Sequence, residues 1–180
     1  QTLRIAGTEI VATRSSPLGL INVVTSRNIP FRNAPGLSLL SQARIPGQIG
    51  IFTDGEGPTT IDHNPGQQPL GYLDMQTSAL PYFLSTINRV LVLGAGGGSA
   101  VQQAANHAVR HIDAVEINPQ IIELVRDDYA DYTGQLYSRP GVHIQAAEAR
   151  GFLTRTPQRY DLIQLGQLGV VLVEVVAQVE

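Results

Sequence analysis

The sequence contains no lysine, no cysteine and no tryptophan, and a single methionine among 180 residues. Each absence removes a class of chemistry. A chain without lysine has no Schiff-base amine and no Walker A loop, whose lysine reaches the phosphates. Without cysteine there is no disulfide framework, no thiolate nucleophile and no thiolate-bound zinc, and nothing follows about redox compartment. Charge is scarce as well: Asp, Glu, Lys and Arg make up 15% of the residues, against roughly a quarter in an ordinary soluble domain. All 12 basic residues are arginines and they do not cluster; the net charge is −3. Such a chain lacks the basic face of a general nucleic-acid binder. Long apolar runs are missing too. The longest, Leu168 to Val173, closes at Glu174, far short of the ~18 residues a membrane helix needs.

What is present suffices for a core, since 43% of the residues are hydrophobic. The chain begins at Gln1 with no initiator Met and no signal-peptide pattern, and is expected to be a piece of something longer. Its first sixty residues have the punctuation of β-structure. Ile10-Val11-Ala12 and Leu20 to Val24 flank Ser15-Ser16-Pro17-Leu18-Gly19, in which Pro presets φ for a tight turn and Gly releases its exit. A hairpin is expected there, then loop with short strands over 26–50, then Ile51-Phe52-Thr53 running into the turn cluster Asp54-Gly55-Glu56-Gly57-Pro58.

From residue 70 the periodicity changes. Tyr72, Met75, Ala79 and Leu80 recur at helical spacing until Pro81, which is expected to stop them. Val90 to Leu93 is continuously apolar, the mark of a strand buried on both faces. A small-residue helix is expected from Ser99 to Val109, a strand over Ile112–Ile117, and a helix starting at Asn118-Pro119, where Asn caps and Pro suits the first turn. Val142-His143-Ile144, a helix over Ala149–Leu153 and a strand over Tyr160–Leu165 follow. Alternating strands and helices with short loops predict an α/β fold with a Rossmann-like parallel sheet. The expected organisation is a small N-terminal β domain over 1–62, a connecting segment with a helix over 63–88, and an incomplete nucleotide-binding α/β domain over 89–180.

The sharpest motif is the order strand, glycine loop, helix, strand, acid. Gly94-Ala95-Gly96-Gly97-Gly98 follows a buried strand directly, and Glu116 ends the next strand, 22 residues after Gly94. Glycines let backbone N–H groups approach a ligand, the helix directs its positive end at the same point, and the acid can accept the hydroxyl protons of a ribose. A nucleoside-bearing ligand is expected; a purely structural turn is the alternative. A dinucleotide fingerprint would have glycine where Ser99 stands.

The pattern Gly-x-Gly-x-Gly followed by Val115-Glu116-Ile117-Asn118-Pro119 resembles the class I S-adenosylmethionine-dependent transferases, and more narrowly the spermidine synthase (aminopropyltransferase) family. Ser16-Pro17-Leu18-Gly19, Thr53-Asp54-Gly55, Gly71-Tyr72-Leu73-Asp74-Met75, Ala147-Glu148-Ala149-Arg150 and Tyr160-Asp161-Leu162-Ile163 carry the same resemblance, which is nearest to bacterial domains of this kind fused behind a membrane segment. It implies a class I methyltransferase-type sheet, C-terminally truncated here. Its co-substrate would be S-adenosylmethionine or its decarboxylated form, with methylthioadenosine as a further ligand and no permanently bound cofactor. It places ligand contacts at Gly94, Ala95, Gly96, Gly97, Gly98, Glu116, Ile117, Glu148 and Ala149, and substrate contacts at Tyr72 and Asp74. It also implies a polyamine or other amine substrate and a soluble cytoplasmic domain, allows a homodimer, and suggests a membrane-attached parent.

Two departures bear on mechanism. The loop acid that holds the aminopropyl amine in the family is matched by Gly97, and its catalytic Asp after the fourth strand by Gly166. Aminopropyl transfer to a polyamine is therefore set beside a methyltransferase and a non-catalytic binding or sensor module. Several residues also have structural alternatives. Glu148 could cap the following helix, Tyr72 could be packing, Asp74 could be a solvated helix residue, Asp54 is first a turn former, and Asp161 is expected to be structural. His63, His107, His111 and His143 have no metal spacing, and Asp127, Asp128 and Asp131 are expected at a solvated helix end. Residues 166–180 match nothing expected after the fourth strand; their valines favour a strand, and a cloning artefact, frameshift or truncation would explain them equally.

Overall fold

The computed structural model describes residues 7–166, so residues 167–180 of the valine-rich tail lie outside it. The described residues form two four-stranded sheets. The first is an antiparallel meander, β1 (Thr8–Ser16), β2 (Gly19–Ser26), β3 (Gln48–Thr53) and β4 (Thr59–Asp62), paired in sequence order. Ser16 faces Gly19 across a two-residue Pro17-Leu18 loop, with the Ser16 hydroxyl accepting the Leu18 N–H at 3.1 Å. Asp54 is a turn residue, at φ +51°, and its carboxylate accepts the Leu20 N–H at 2.8 Å.

Residues 73–75 and 77–79 form two 3-10 turns, and α1 spans Leu80–Leu84. Here the structure corrects the sequence expectation: Pro81 begins a helix instead of stopping one. It occupies the first turn of α1, where a missing N–H costs nothing and the fixed φ is already helical.

The second sheet is wholly parallel. It contains β5 (Arg89–Leu93), β6 (His111–Glu116), β7 (Val142–Ala146) and β8 (Leu162–Leu165), in the order β7-β6-β5-β8. Each crossover carries helix: α2 (Ser99–Asn106) after β5; α3 (Pro119–Glu123), a π-helical turn (Leu124–Asp128) and α4 (Ala130–Thr133) after β6; α5 (Ala149–Arg155) after β7. The helix expected to reach Val109 ends at Asn106, because Ala108 turns out at φ +54°. Asp161 is structural, accepting the Asn88 and Arg89 N–H groups at 2.8 Å each. No helix among the described residues is long and apolar enough to cross a membrane.

Strand periodicity distributes β5 between two layers. Val90 and Val92 join a core that also takes Ile21, Val23, Ile49, Ile51 and Ile61 from the antiparallel sheet and Val101 and Ala104 from α2. Leu91 and Leu93 face the other way, against Val115, Tyr160 and Phe152 of α5. The chain leaves β5 outward to β6 and β7 and then returns to β8 on the opposite side of β5. The order in which strands are added thus reverses between β5 and β8, which is where a parallel sheet leaves a crevice at its C-terminal edge.

Candidate functional site

The glycine loop lies at that edge. Gly94, Gly96 and Gly98 have φ of +72°, +52° and +97°, a region that favours glycine. The Gly94 and Ala95 N–H groups donate to the Val115 carbonyl at 2.8 and 3.0 Å, tying the loop to the end of β6. Glu116, the last residue of β6, is buried and accepts two main-chain donors: Oε2 takes the Gly96 N–H at 3.0 Å and Oε1 the Asn118 N–H at 2.9 Å. Each oxygen keeps a further lone pair. The Tyr137 hydroxyl closes the other side by donating to the Gly96 carbonyl at 2.8 Å. Ile117 is exposed next to it, and Asn118 caps α3 by accepting the Gln120 N–H at 3.1 Å.

Glu148 and Ala149 follow β7, and the Ala147 N–H donates to the Glu116 carbonyl at 3.0 Å, so the two acids end neighbouring strands. The Glu148 carboxylate caps α5, accepting the Arg150 and Gly151 N–H groups at 2.9 and 2.6 Å. Those donors hold its acid below the usual carboxylate range.

Beside the loop, between the antiparallel sheet and the end of β8, is a cavity of about 410 Å³ lined by Ala95 and Ser99 from the loop and α2, Thr59 and Thr60 of β4, Gln103, Gln164 and Gly166. Its size suits a small molecule. Neither Tyr72 nor Asp74 lines it. Tyr72 is fully buried, with its hydroxyl donating to Asp62 at 2.7 Å, and burial raises its pKa further. Asp74 meets His107 Nε2 at 3.1 Å, while the His107 ring stacks on Tyr82 at 4.6 Å. Of the residues expected to bind ligand, the structure gathers Gly94 to Gly98, Glu116 and Ile117 at one strand edge and Glu148 and Ala149 at the next.

The two positions that lack acids are closed. A Cβ on Gly97 would overlap the Thr60 carbonyl of β4, and the Gly97 N–H donates to Thr59 Oγ1 at 2.9 Å. A Cβ on Gly166 would overlap the Gly94 carbonyl. Neither backbone leaves space for a carboxylate.

Some residues at the site went unnoticed in the sequence. Asp62 ends β4 and is buried, accepting Tyr72 Oη, Gln48 Nε2 at 2.8 Å and Ser99 Oγ at 3.2 Å; burial raises its pKa, outweighing those hydrogen bonds. Gln103 and Gln164 are 1% and 4% exposed. A glutamine inside the apolar strand Leu162-Ile163-Gln164-Leu165 is a signal that could have found the second, since a buried amide needs partners.

Residues 75–169 match the spermine/spermidine synthase domain family. The polyamine aminopropyltransferase of Buchnera aphidicola subsp. Schizaphis graminum is 27% identical over 93 residues, 51% of this chain and 32% of that one. The enzyme of the same name from Korarchaeum cryptofilum is 26% identical over 96 residues, 52% of this chain and 30% of that one. The chain thus spans about a third of the length of these relatives. Relatives of this kind come from an archaeon as well as bacteria, so the expectation of a bacterial character is not carried by them. Among solved structures, a spermidine synthase in complex with the transition-state analogue AdoDATO superposes with a TM-score of 0.62 at 19% identity, covering 88% of this chain and 46% of the other. The spermidine synthase of Thermotoga maritima does so at the same TM-score and identity, with 48% of its chain covered.

Proposed function

The chain belongs to the spermine/spermidine synthase family, and from that premise we propose that the C-terminal edge of its parallel sheet binds an S-adenosyl ligand. The ligand is decarboxylated S-adenosylmethionine, S-adenosylmethionine or methylthioadenosine. Glu116 carries the reading. Buried at the end of β6 and fixed by the Gly96 and Asn118 N–H groups, it holds an acceptor pair beside the glycine loop, where the ribose hydroxyls of a nucleoside would donate. Exposed Ile117 supplies an apolar surface for the adenine, and Glu148 and Ala149 its far edge. The glycine loop faces the sulfur. Tyr72 keeps a role on the substrate side only through Asp62, and Asp74 only through His107.

The reaction named for the relatives is aminopropyl transfer. In-line displacement at a sulfonium carbon draws mainly on positioning, and a base must take the proton of the attacking amine. This chain carries the nucleoside half of that arrangement; at Gly97 and Gly166 it has no carboxylate for the amine half. A second reading, as a methyltransferase or a ligand-binding module without chemistry, is favoured by the closure of Gly166 against Gly94.

Calorimetric titration with methylthioadenosine tests the proposal. Binding with saturable heat is expected, abolished by Glu116→Ala while the far-UV spectrum is kept. No heat and no thermal shift at millimolar ligand would overturn it. Formation of spermidine from putrescine and decarboxylated S-adenosylmethionine would remove the second reading.

A further inference from the structure

The cavity beside the glycine loop is lined by two buried glutamines whose orientation is determined. The Leu73 carbonyl can only accept, so the amide group that reaches it at 2.6 Å is Gln103 Nε2. Gln103 Oε1 then faces Gln164 and accepts from Gln164 Nε2. Gln164 Oε1 in turn accepts the Tyr82 hydroxyl at 2.9 Å. Each amide nitrogen has spent one hydrogen and keeps a second, and both residues line the cavity. The remaining wall mixes hydroxyls and amides, among them Ser99, Thr59, Gln76 and Asn33, with apolar groups such as Ile51, Pro58 and Leu165. Among the described residues the one ionisable side chain on the lining is Glu56, which is exposed. Asp62 lies behind Ser99 with its oxygens taken up by Tyr72, Gln48 and Ser99.

We infer that this cavity takes a hydrogen-bond-accepting oxygen and not an ammonium group. An ammonium has three donors and no acceptor; the glutamine N–H groups offer it nothing, and the oxygens of the wall that could accept from it are neutral hydroxyls and amides. Among the described residues it would also leave water with only the exposed Glu56 to compensate it, since the backbone closes positions 97 and 166 to any side chain. A carbonyl, hydroxyl or carboxylate oxygen meets the same N–H groups as a partner. That oxygen has two sources: the methionyl carboxylate of the co-substrate, or a separate acceptor molecule. The inference rests on the S-adenosyl reading above and fixes which arm the ligand carries.

The test is a calorimetric comparison of three nucleosides on the 180-residue chain. Methylthioadenosine has no arm, decarboxylated S-adenosylmethionine has an arm ending in ammonium alone, and S-adenosylhomocysteine has one ending in an ammonium and a carboxylate. Decarboxylated S-adenosylmethionine is expected to bind no more than about threefold tighter than methylthioadenosine, taking about 1.4 kcal/mol per tenfold as the scale on which a placed carboxylate would register. Tenfold tighter binding would overturn the inference. S-adenosylhomocysteine binding tenfold tighter than methylthioadenosine assigns the oxygen to the co-substrate; equal affinities assign it to a separate acceptor. If none of the three binds, the S-adenosyl reading fails, and this inference with it. Gln164→Glu, checked for folding by its thermal melt, is expected to raise the preference for decarboxylated S-adenosylmethionine about tenfold; a folded variant with unchanged preference would also overturn the inference.

Discussion

Gly97 has no room for a side chain because β4 lies directly against the loop: the Thr60 carbonyl occupies the place of a Cβ, and Thr59 Oγ1 takes the Gly97 N–H. A methyl group there must push a strand away from its sheet-edge contact, and forced overpacking of this kind costs about 1–3 kcal/mol. Gly97→Ala is therefore expected to lower the urea stability by that amount. Gly57→Ala, whose Cβ would meet nothing, should stay within about 0.5 kcal/mol; equal effects of the two would mean that β4 yields freely. Asp62 supplies a second prediction. Burial raises its folded pKa above 3.8, so the folded state holds the proton more tightly than the unfolded one. Stability from this group is complete below the unfolded pKa and is lost as pH rises through the folded one. Asp62→Asn removes the titration. The stability of the variant relative to the parent is expected to increase from pH 4 to pH 7 in parallel urea melts; a difference that is flat or falls with pH would contradict the assignment.

Among the elements, α3 was legible down to its cap. Asn118-Pro119 announced the start, and Asn118 Oδ1 accepts the Gln120 N–H. Asn118→Ala is expected to cost about 1 kcal/mol, the usual worth of an N-cap, read as a shift in urea midpoint at constant m-value. The strands of the parallel sheet were legible for a similar reason: Val90 to Leu93 is apolar throughout because both of its faces are covered. Pro81 is ambiguous in the sequence because the same residue can end one helix or open another; in the structure two 3-10 turns precede it and it sits in the first turn of α1. The early end of α2 depends on an alanine at φ +54°, for which alanine gives no local sign. The site divides along the same line. Glu116 and the glycine loop are contiguous with their strands, so spacing reveals them. The Gln103–Gln164 pair joins α2 to β8, 61 residues apart, and only the fold brings them together.

For the whole molecule the question is whether the antiparallel sheet is an attachment or part of one core. Ile21, Val23, Ile49, Ile51 and Ile61 are all at most 5% exposed and share a cluster with Val90, Val92 and Ala114 of the parallel sheet. Polar contacts follow the same seam. Thr59 holds the Gly97 N–H, Asp62 holds Ser99 at the start of α2, and Arg14 of β1 reaches Glu123 at 3.1 Å and Asp128 at 2.6 Å beyond α3. Asp128 is thus a tie between the two sheets, more than the solvated helix end expected from the sequence. Burial of five branched aliphatic side chains, each worth roughly 1.5–3 kcal/mol, is of the same order as the whole stability of a small domain. Removing residues 1–62 therefore leaves the parallel sheet with an exposed apolar face and a glycine loop stripped of its backing strand. The remainder, residues 63–180, is expected to show no cooperative urea transition and no slowly exchanging amides in β5 or β6. The full chain should lose both sheets in a single transition, with far-UV signal and amide protection falling together. A separate, earlier loss of protection in β2 and β3, or a cooperative transition in the shortened chain, would instead make the parallel sheet self-sufficient. In that case the closure of Gly97 would reflect docking of a folded β unit on a folded α/β unit, and Gly97→Ala should weaken that docking without unfolding either.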